Sequence, residues 1–231
     1  MIALVVFDIA GTTIQDGDAV HTCLRSVLQT RGVDVDRDAV NRVMGEPKPV
    51  AIAKLLSWSR GRPYDPRDAD VSSVHDAFEQ LMMEYYAADT TVVLAPDAEA
   101  TFAALKQRGI RIALDTGFNR AIVDVILRRF NWAGSGLIDA TVASDEVARG
   151  RPAPDLIERA MALTGVASAA AVAKVGDTPA DLQEGTAAGC ARVIGLTTGS
   201  HTREQLRAHP HTHLVEALAE VPPLCLEGAV E

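Results

Sequence analysis

Residues 2–13 read Ile2-Ala3-Leu4-Val5-Val6-Phe7-Asp8-Ile9-Ala10-Gly11-Thr12-Thr13, and this stretch decides the fold. From Ile2 to Phe7 the run is apolar almost without a break and rich in branched side chains. That is the pattern of a strand covered on both faces in a parallel sheet. Such sheets collect their ligands at the carboxyl ends of the strands, and Asp8 stands there as a lone carboxylate, a candidate nucleophile. Gly11 permits a tight turn, and Thr12 and Thr13 offer hydroxyl and N–H groups beside the carboxylate. An Asp after a strand also serves as a turn or helix cap, so its chemical reading depends on what lies downstream.

Downstream, apolar residues at helical spacing over 20–32, 37–44, 49–58 and 72–87 predict a run of helices with no strand among them. From about residue 92 the pattern alternates. Helices are predicted over 97–109, 120–130, 155–163 and 180–189, and strands over 110–115, 141–143, 171–176 and 191–195. The expected fold is therefore α/β: a Rossmann-like, doubly wound parallel sheet core made of residues 1–15 and 92–231. An all-helical cap domain, residues 16–91, is inserted in the loop after the first strand and lies over the ligand end of the sheet. Residues 60–70, dense in Arg, Pro and Asp, read as a loop between cap helices, and residues 201–213 as a polar surface stretch. No internal repeat is present.

Composition narrows the function classes. The chain has 231 residues, 48% of them hydrophobic, and a net charge of −9. It has room for a real core and gives no electrostatic case for binding nucleic acid or an anionic membrane. A phosphate-bearing ligand must meet local positive groups instead. Cys23, Cys190 and Cys225 are far apart without ligand spacing, which argues against a disulfide framework or a zinc site. With no basic n-region ahead of a cleavage site and no apolar run of transmembrane length, the expected compartment is the cytoplasm.

Three further sites fall at strand ends or helix starts. Asp115-Thr116-Gly117 offers a hydroxyl and N–H groups to a phosphate-sized anion, although an ordinary strand-to-helix turn looks the same. Arg151-Pro152-Ala153-Pro154-Asp155 places a cation just before a helix, with prolines fixing the approach and Asp155 as the expected N-cap. Gly176-Asp177-Thr178-Pro179-Ala180-Asp181 sets two carboxylates four apart, and Asp181 alone would pass for a first-turn acid favoured by the helix dipole.

In order and spacing these four motifs resemble those of the haloacid dehalogenase superfamily over nearly the whole chain. The resemblance implies an Mg²⁺-dependent aspartyl nucleophile. Asp8 attacks phosphorus; Thr116, Gly117, Gly11 and Arg151 hold the phosphoryl oxygens; Asp8, the Ala10 carbonyl and Asp177 bind the metal; Asp181 orients the metal's surroundings from outside. Most phosphatases of the superfamily carry Asp-x-Asp, whose second Asp protonates the leaving oxygen. Here that place is Ala10, and ester hydrolysis without the acid would forfeit roughly 10²–10⁴-fold.

Asp-x-Ala-Gly-Thr with Arg151 instead resembles the phosphonoacetaldehyde hydrolase (phosphonatase) branch, which cleaves a carbon–phosphorus bond. Met44-Gly45-Glu46-Pro47-Lys48 has that branch's Met-Gly-x-x-Lys spacing, which implies a Schiff base between Lys48 and the substrate carbonyl, with Met44 beside it. The sequence departs from the branch at Ala51 (a histidine there), Phe118 (a tyrosine) and Asp18 (a cysteine), all at the substrate's aldehyde end. His21 and His75 are candidate replacements for the histidine and equally fit surface or core. The expected partner is a small organophosphonate or phosphate ester. A homodimer through cap helices is also implied, although the apolar faces of 20–32 and 72–87 fit an internal cap core as well. The alternatives are an Mg²⁺-dependent phosphomonoesterase and a catalytically silent phosphate-binding regulator on the same fold.

Overall fold

The structure is a computed structural model and describes residues 1–226. Strand β1 (Leu4–Asp8) is buried throughout, and its alternation sets the two layers: Val5 and Phe7 join one apolar cluster, Leu4 and Val6 another. The chain then passes through a two-residue strand β2 (Ile14–Gln15) into α1 (Ala19–Gln29), α2 (Arg37–Asn41), α3 (Lys48–Arg60) and α4 (Ala69–Ala88), and returns through β3 (Val93–Leu94). β2 and β3 pair antiparallel. They flank the helices of residues 16–91 and were not expected from the sequence, because two residues are too short for any periodicity to register. α2 ends three residues before the expected limit, where Gly45 (φ +83°) and Pro47 turn the chain into α3.

The remaining elements alternate: α5 (Ala98–Lys106), β4 (Arg111–Asp115), α6 (Arg120–Arg129), β5 (Ala140–Val142), α7 (Asp155–Thr164), β6 (Val172–Gly176), α8 (Pro179–Ala188), β7 (Arg192–Leu196), α9 (Arg203–Arg207), β8 (His213–Val215) and α10 (Val221–Leu226). Six strands form one parallel sheet in the order β5-β4-β1-β6-β7-β8. The fold is the doubly wound α/β sheet with a helical insert region. Chain order reverses around β1, so the crevice for ligands opens at the carboxyl ends of β1, β4 and β6. Residues 201–213 are not a plain surface stretch: Thr202 caps α9, Leu206 is fully buried, and β8 adds an edge strand. Polar composition hid the element because one buried leucine anchors it.

The apolar faces of α1 and α4 pack against each other inside the insert, with Leu24, Val27, Leu28, Val74, Phe78 and Met82 in one cluster. They are therefore covered within the chain. Arg129 of α6 ties the insert's return to the core by donating to the carbonyls of Tyr86 (2.8 Å), Asp89 (2.5 Å) and Val92 (2.9 Å). No described helix is long and apolar enough to cross a membrane. Beneath the sheet, Phe102 stacks edge-on against Phe7 (5.2 Å between centroids) and Trp132 (5.7 Å), and all three rings are buried. Phe102→Ala is expected to destabilise the fold by about 3–5 kcal/mol through lost burial and an unfilled cavity. Urea unfolding measures it, and a loss under about 1 kcal/mol would show that the aromatic row is not a core element.

Candidate active site

Asp8 ends β1 and Asp115 ends β4, side by side in register. Two carboxylates this close repel unless a cation lies between them, and Arg151, from the loop before α7, supplies it. Its Nη1 donates to Asp8 Oδ1 at 2.6 Å, its Nη2 to the Asp115 carbonyl at 3.0 Å and to the Asp115 carboxylate, and its Nε to Glu184 Oε2 of α8 at 2.9 Å. Asp181 Oδ1 lies 2.9 Å from Nη1 as an ion pair without hydrogen-bond alignment. Burial by itself disfavours the charged guanidinium, but Asp115, Asp181, Asp8 and Glu184 together hold its pKa well above the ordinary value.

Asp177, just past β6, is fixed by other partners. Thr12 Oγ1 donates to its Oδ1 at 3.1 Å, and Ser200 donates both N–H and O–H to its Oδ2 at 2.7 Å. Gly11 (φ +88°) and Gly199 press against this carboxylate so closely that a Cβ on either would overlap it. Carboxylate oxygens of Asp8, Asp177 and Asp181 fall within 4.8 Å of one another. Burial raises the pKa of Asp8 against the pull of Arg151, and burial with Asp181 raises that of Asp177. Crowded, buried oxygen donors short of positive charge fit a divalent cation. Asp181 is engaged on both oxygens: Oδ2 accepts from Thr178 N (3.1 Å) and Oγ1 (2.5 Å), and Oδ1 faces Arg151 and Lys174. Asp177 takes only uncharged donors while Asp181 already faces two cations, so Asp8 and Asp177 are the pair positioned for a cation, with Asp181 behind them.

A small cavity of about 30 Å³ adjoins Asp8 and brings together residues far apart in sequence: Ala10, Met44, Lys48, Thr116, Gly117 and Arg151, with Val20, Gly45, Phe118 and Thr178. Thr116 Oγ1 accepts from Phe118 N at 3.2 Å, which leaves its hydroxyl hydrogen for a ligand. Lys48, the first residue of α3, is 5% exposed; its Nζ sits 5.3 Å from the Phe118 ring centroid and 3.4 Å from the Glu46 carbonyl. Burial lowers its pKa to about 8, with Asp8 opposing the shift and Arg151 reinforcing it. Ala51 is buried one turn along α3, and Asp18 is spent on an ion pair with Arg37 (Arg37 Nη2 to Oδ1, 2.9 Å). His21 contacts the Arg37 carbonyl and His75 pairs with Glu79, and neither ring lines the cavity.

The loop carrying Lys48 fits against the core through glycines. A Cβ on Gly117 would lie 2.8 Å from the Glu46 carbonyl and 3.0 Å from that of Gly45; one on Gly150 would overlap the Pro47 ring; one on Gly45 would overlap the Thr178 hydroxyl. Lys174 and Glu184, both fully buried behind Arg151, are residues that sequence reasoning missed, as is Ser200. A lysine inside the apolar run Val172-Ala173-Lys174-Val175 was the available signal, since a strand covered on both faces has no solvated side for it.

A family model for haloacid dehalogenase-like hydrolases matches residues 2–189, and the chain belongs to that family. It is 33% identical over 207 residues to the phosphonoacetaldehyde hydrolase of Latilactobacillus sakei, an alignment covering 86% of this chain and 77% of that protein. With the phosphonoacetaldehyde hydrolase of Bordetella pertussis it shares 28% identity over 251 residues, covering 95% and 89%. Among solved structures, a phosphonoacetaldehyde hydrolase-like protein from Oleispira antarctica superposes with a TM-score of 0.84 at 20% identity, over 97% of this chain and 91% of that one.

The glycine contacts give a test of how the insert closes. Gly150→Ala is expected to push the Pro47 loop outward and raise the rate at which an amine-specific reagent modifies Lys48 by about tenfold, read by peptide mass spectrometry. Adding Pro47→Ala removes the ring carbon and should restore protection. Unchanged labelling of Gly150→Ala would refute the tight fit.

Proposed function

We propose that this protein is an Mg²⁺-dependent, phosphonatase-like hydrolase that cleaves the carbon–phosphorus bond of phosphonoacetaldehyde or a related 2-oxoalkylphosphonate. The observation that carries the reading is a buried lysine of lowered pKa sharing one small cavity with Asp8, where Ala10 stands in place of a leaving-group acid. A neutral Lys48 amine adds to the substrate carbonyl and, with one proton taken up, expels water to give a protonated imine. Asp8 Oδ attacks phosphorus, the carbon–phosphorus electron pair moves into the imine to leave an enamine, and the phosphoryl group passes to Asp8. Water then releases phosphate from Asp8, and protonation and hydrolysis of the enamine free Lys48. Because the leaving carbon is an enamine, no acid at position 10 is needed.

In this reading Arg151 and Thr116 hold the phosphoryl oxygens, with the Gly117 and Gly11 backbones nearby, while Met44, Val20 and Phe118 exclude water from the imine. Asp8, the Ala10 carbonyl and Asp177 would hold Mg²⁺, and Asp181 supports them from behind. Bound there, Mg²⁺ would screen the carboxylate nucleophile from the anionic phosphonate. Residues 16–91 act as the cap that delivers Lys48, and the relatives named phosphonoacetaldehyde hydrolases support the substrate class.

Borohydride added with phosphonoacetaldehyde should add the reduced two-carbon adduct to the Lys48 peptide, and Lys48→Arg should abolish both adduct and carbon–phosphorus cleavage. Cleavage by Lys48→Arg at near wild-type rate would leave the phosphomonoesterase alternative. The trapping yield has a defined pH sign: Lys48 condenses only as the free amine, so yield should rise with pH around about 8 rather than around 10.5.

Two further outcomes are expected of the phosphoryl end. Asp8→Asn should fall below about a hundredth of wild-type phosphate release while remaining folded. Exhaustive chelation should abolish turnover and added Mg²⁺ restore it, whereas full activity after chelation would refute the metal assignment.

A further inference from the structure

Behind Arg151 lies a second set of ionised groups that no step above uses. Asp115, Asp181 and Glu184 carboxylate oxygens fall within 4.8 Å of one another, and the Lys174 ammonium stands among them. It donates to Asp115 Oδ1 and lies 3.2 Å from both Asp181 Oδ1 and Glu184 Oε2. All four side chains are fully buried. Asp115 Oδ2 and Glu184 Oε1 have no hydrogen-bond partner, so these acids are held by the cations.

Glycine makes room for this arrangement. A Cβ on Gly185 would lie 2.9 Å from Lys174 Cβ, and one on Gly176 would overlap Asp181. Fixing charges in a dry interior is costly unless every partner is present, and packed apolar residues of the same size would usually serve stability as well or better. The arrangement therefore calls for a role besides stability.

We propose that Lys174 and Glu184 are positioning residues that aim Arg151 at the reacting phosphoryl group. Asp115 and Glu184 each bind one edge of the guanidinium, through Nη2 and Nε, which leaves Nη1 pointing at Asp8. Were Lys174 absent, these acids would have no other cation and would draw the guanidinium toward themselves, away from Asp8. Sharing their charge with Lys174 balances Arg151 between the acids and the nucleophile. This inference rests on the reading of Arg151 as the group that holds the phosphoryl oxygens, and it does not depend on the Lys48 imine.

The test uses the full-length chain with Mg²⁺ and acetyl phosphate, whose carboxylate leaving group needs neither an imine nor a general acid. Lys174→Met is expected to lower kcat about 100-fold with KM changed less than about threefold, the scale of a catalytic group displaced by about 1 Å. Orthovanadate, which adopts the five-coordinate geometry of phosphoryl transfer, should bind more weakly by a similar factor in calorimetry, while inorganic phosphate binds nearly as before. In an Arg151→Lys background, Lys174→Met should have less than a threefold further effect on vanadate affinity, because both act through one group.

A folded Lys174→Met with kcat and vanadate affinity within threefold of wild type overturns the proposal, and so does a full-sized effect that adds to Arg151→Lys. Near-UV circular dichroism reports folding. Should Lys174→Met not fold, Glu184→Gln carries the same comparison with an expected loss of about tenfold, and failure of both to fold assigns the network to structure alone and overturns the proposal. Full activity and vanadate affinity in Arg151→Lys would instead refute the reading of Arg151 itself.

Discussion

Arg151 is the interaction on which the site depends. One buried guanidinium joins the ends of β1 and β4 to α8 by touching Asp8, Asp115, Asp181 and Glu184. Repulsion among those carboxylates would otherwise force protonation or water into the sheet edge. The charges remain unequal. Asp8, Asp115, Asp177, Asp181 and Glu184 face Arg151 and Lys174, with Lys48 across the cavity, so the cluster carries more acids than cations. That imbalance is felt at Asp177, whose hydrogen-bond donors Thr12 and Ser200 are uncharged, and a divalent cation beside it and Asp8 would reduce it.

The same economy of space governs the meeting of insert and core. A lysine is buried above Asp8 because the loop before it can approach three core loops, and it can do so because Gly45, Gly117 and Gly150 lack side chains. The buried position that places Lys48 at the cavity also lowers its pKa, which favours the free amine over the ammonium. Phe118 contributes a ring face to the ammonium and no competing hydroxyl. Ala10 lines the same cavity as Asp8 and Lys48 and adds no ionisable group to it.

The fold was legible because a doubly covered strand followed by alternating helices and strands repeats one physical pattern many times. β1, β4, β6 and β7 each bury both faces, and β4 and β6 each run through a turn into a helix. Short elements were not legible. β2 and β3 have two residues each, and α9 has one buried leucine, so neither period nor composition rises above that of a loop. At the site, Asp8, Arg151, Asp177 and Asp181 stood out because each lies at or beside a strand end or a helix start. Glu184 sits in mid-helix, where an acid ordinarily faces water.

The sequence by itself determined the order of elements, the insertion after the first strand, and the residue types at the strand ends, since these follow from local periodicity and turn chemistry. Tertiary structure decided what no local rule contains. It paired Asp8 with Asp115 through Arg151 and seated Lys174 among three acids. It also turned the apolar faces of α1 and α4 inward on each other and brought Lys48 over a cavity about 40 residues away in the chain from Asp8. Burial and charge pairing are properties of the packed chain, because a side chain's dielectric surroundings are set by whatever folds against it.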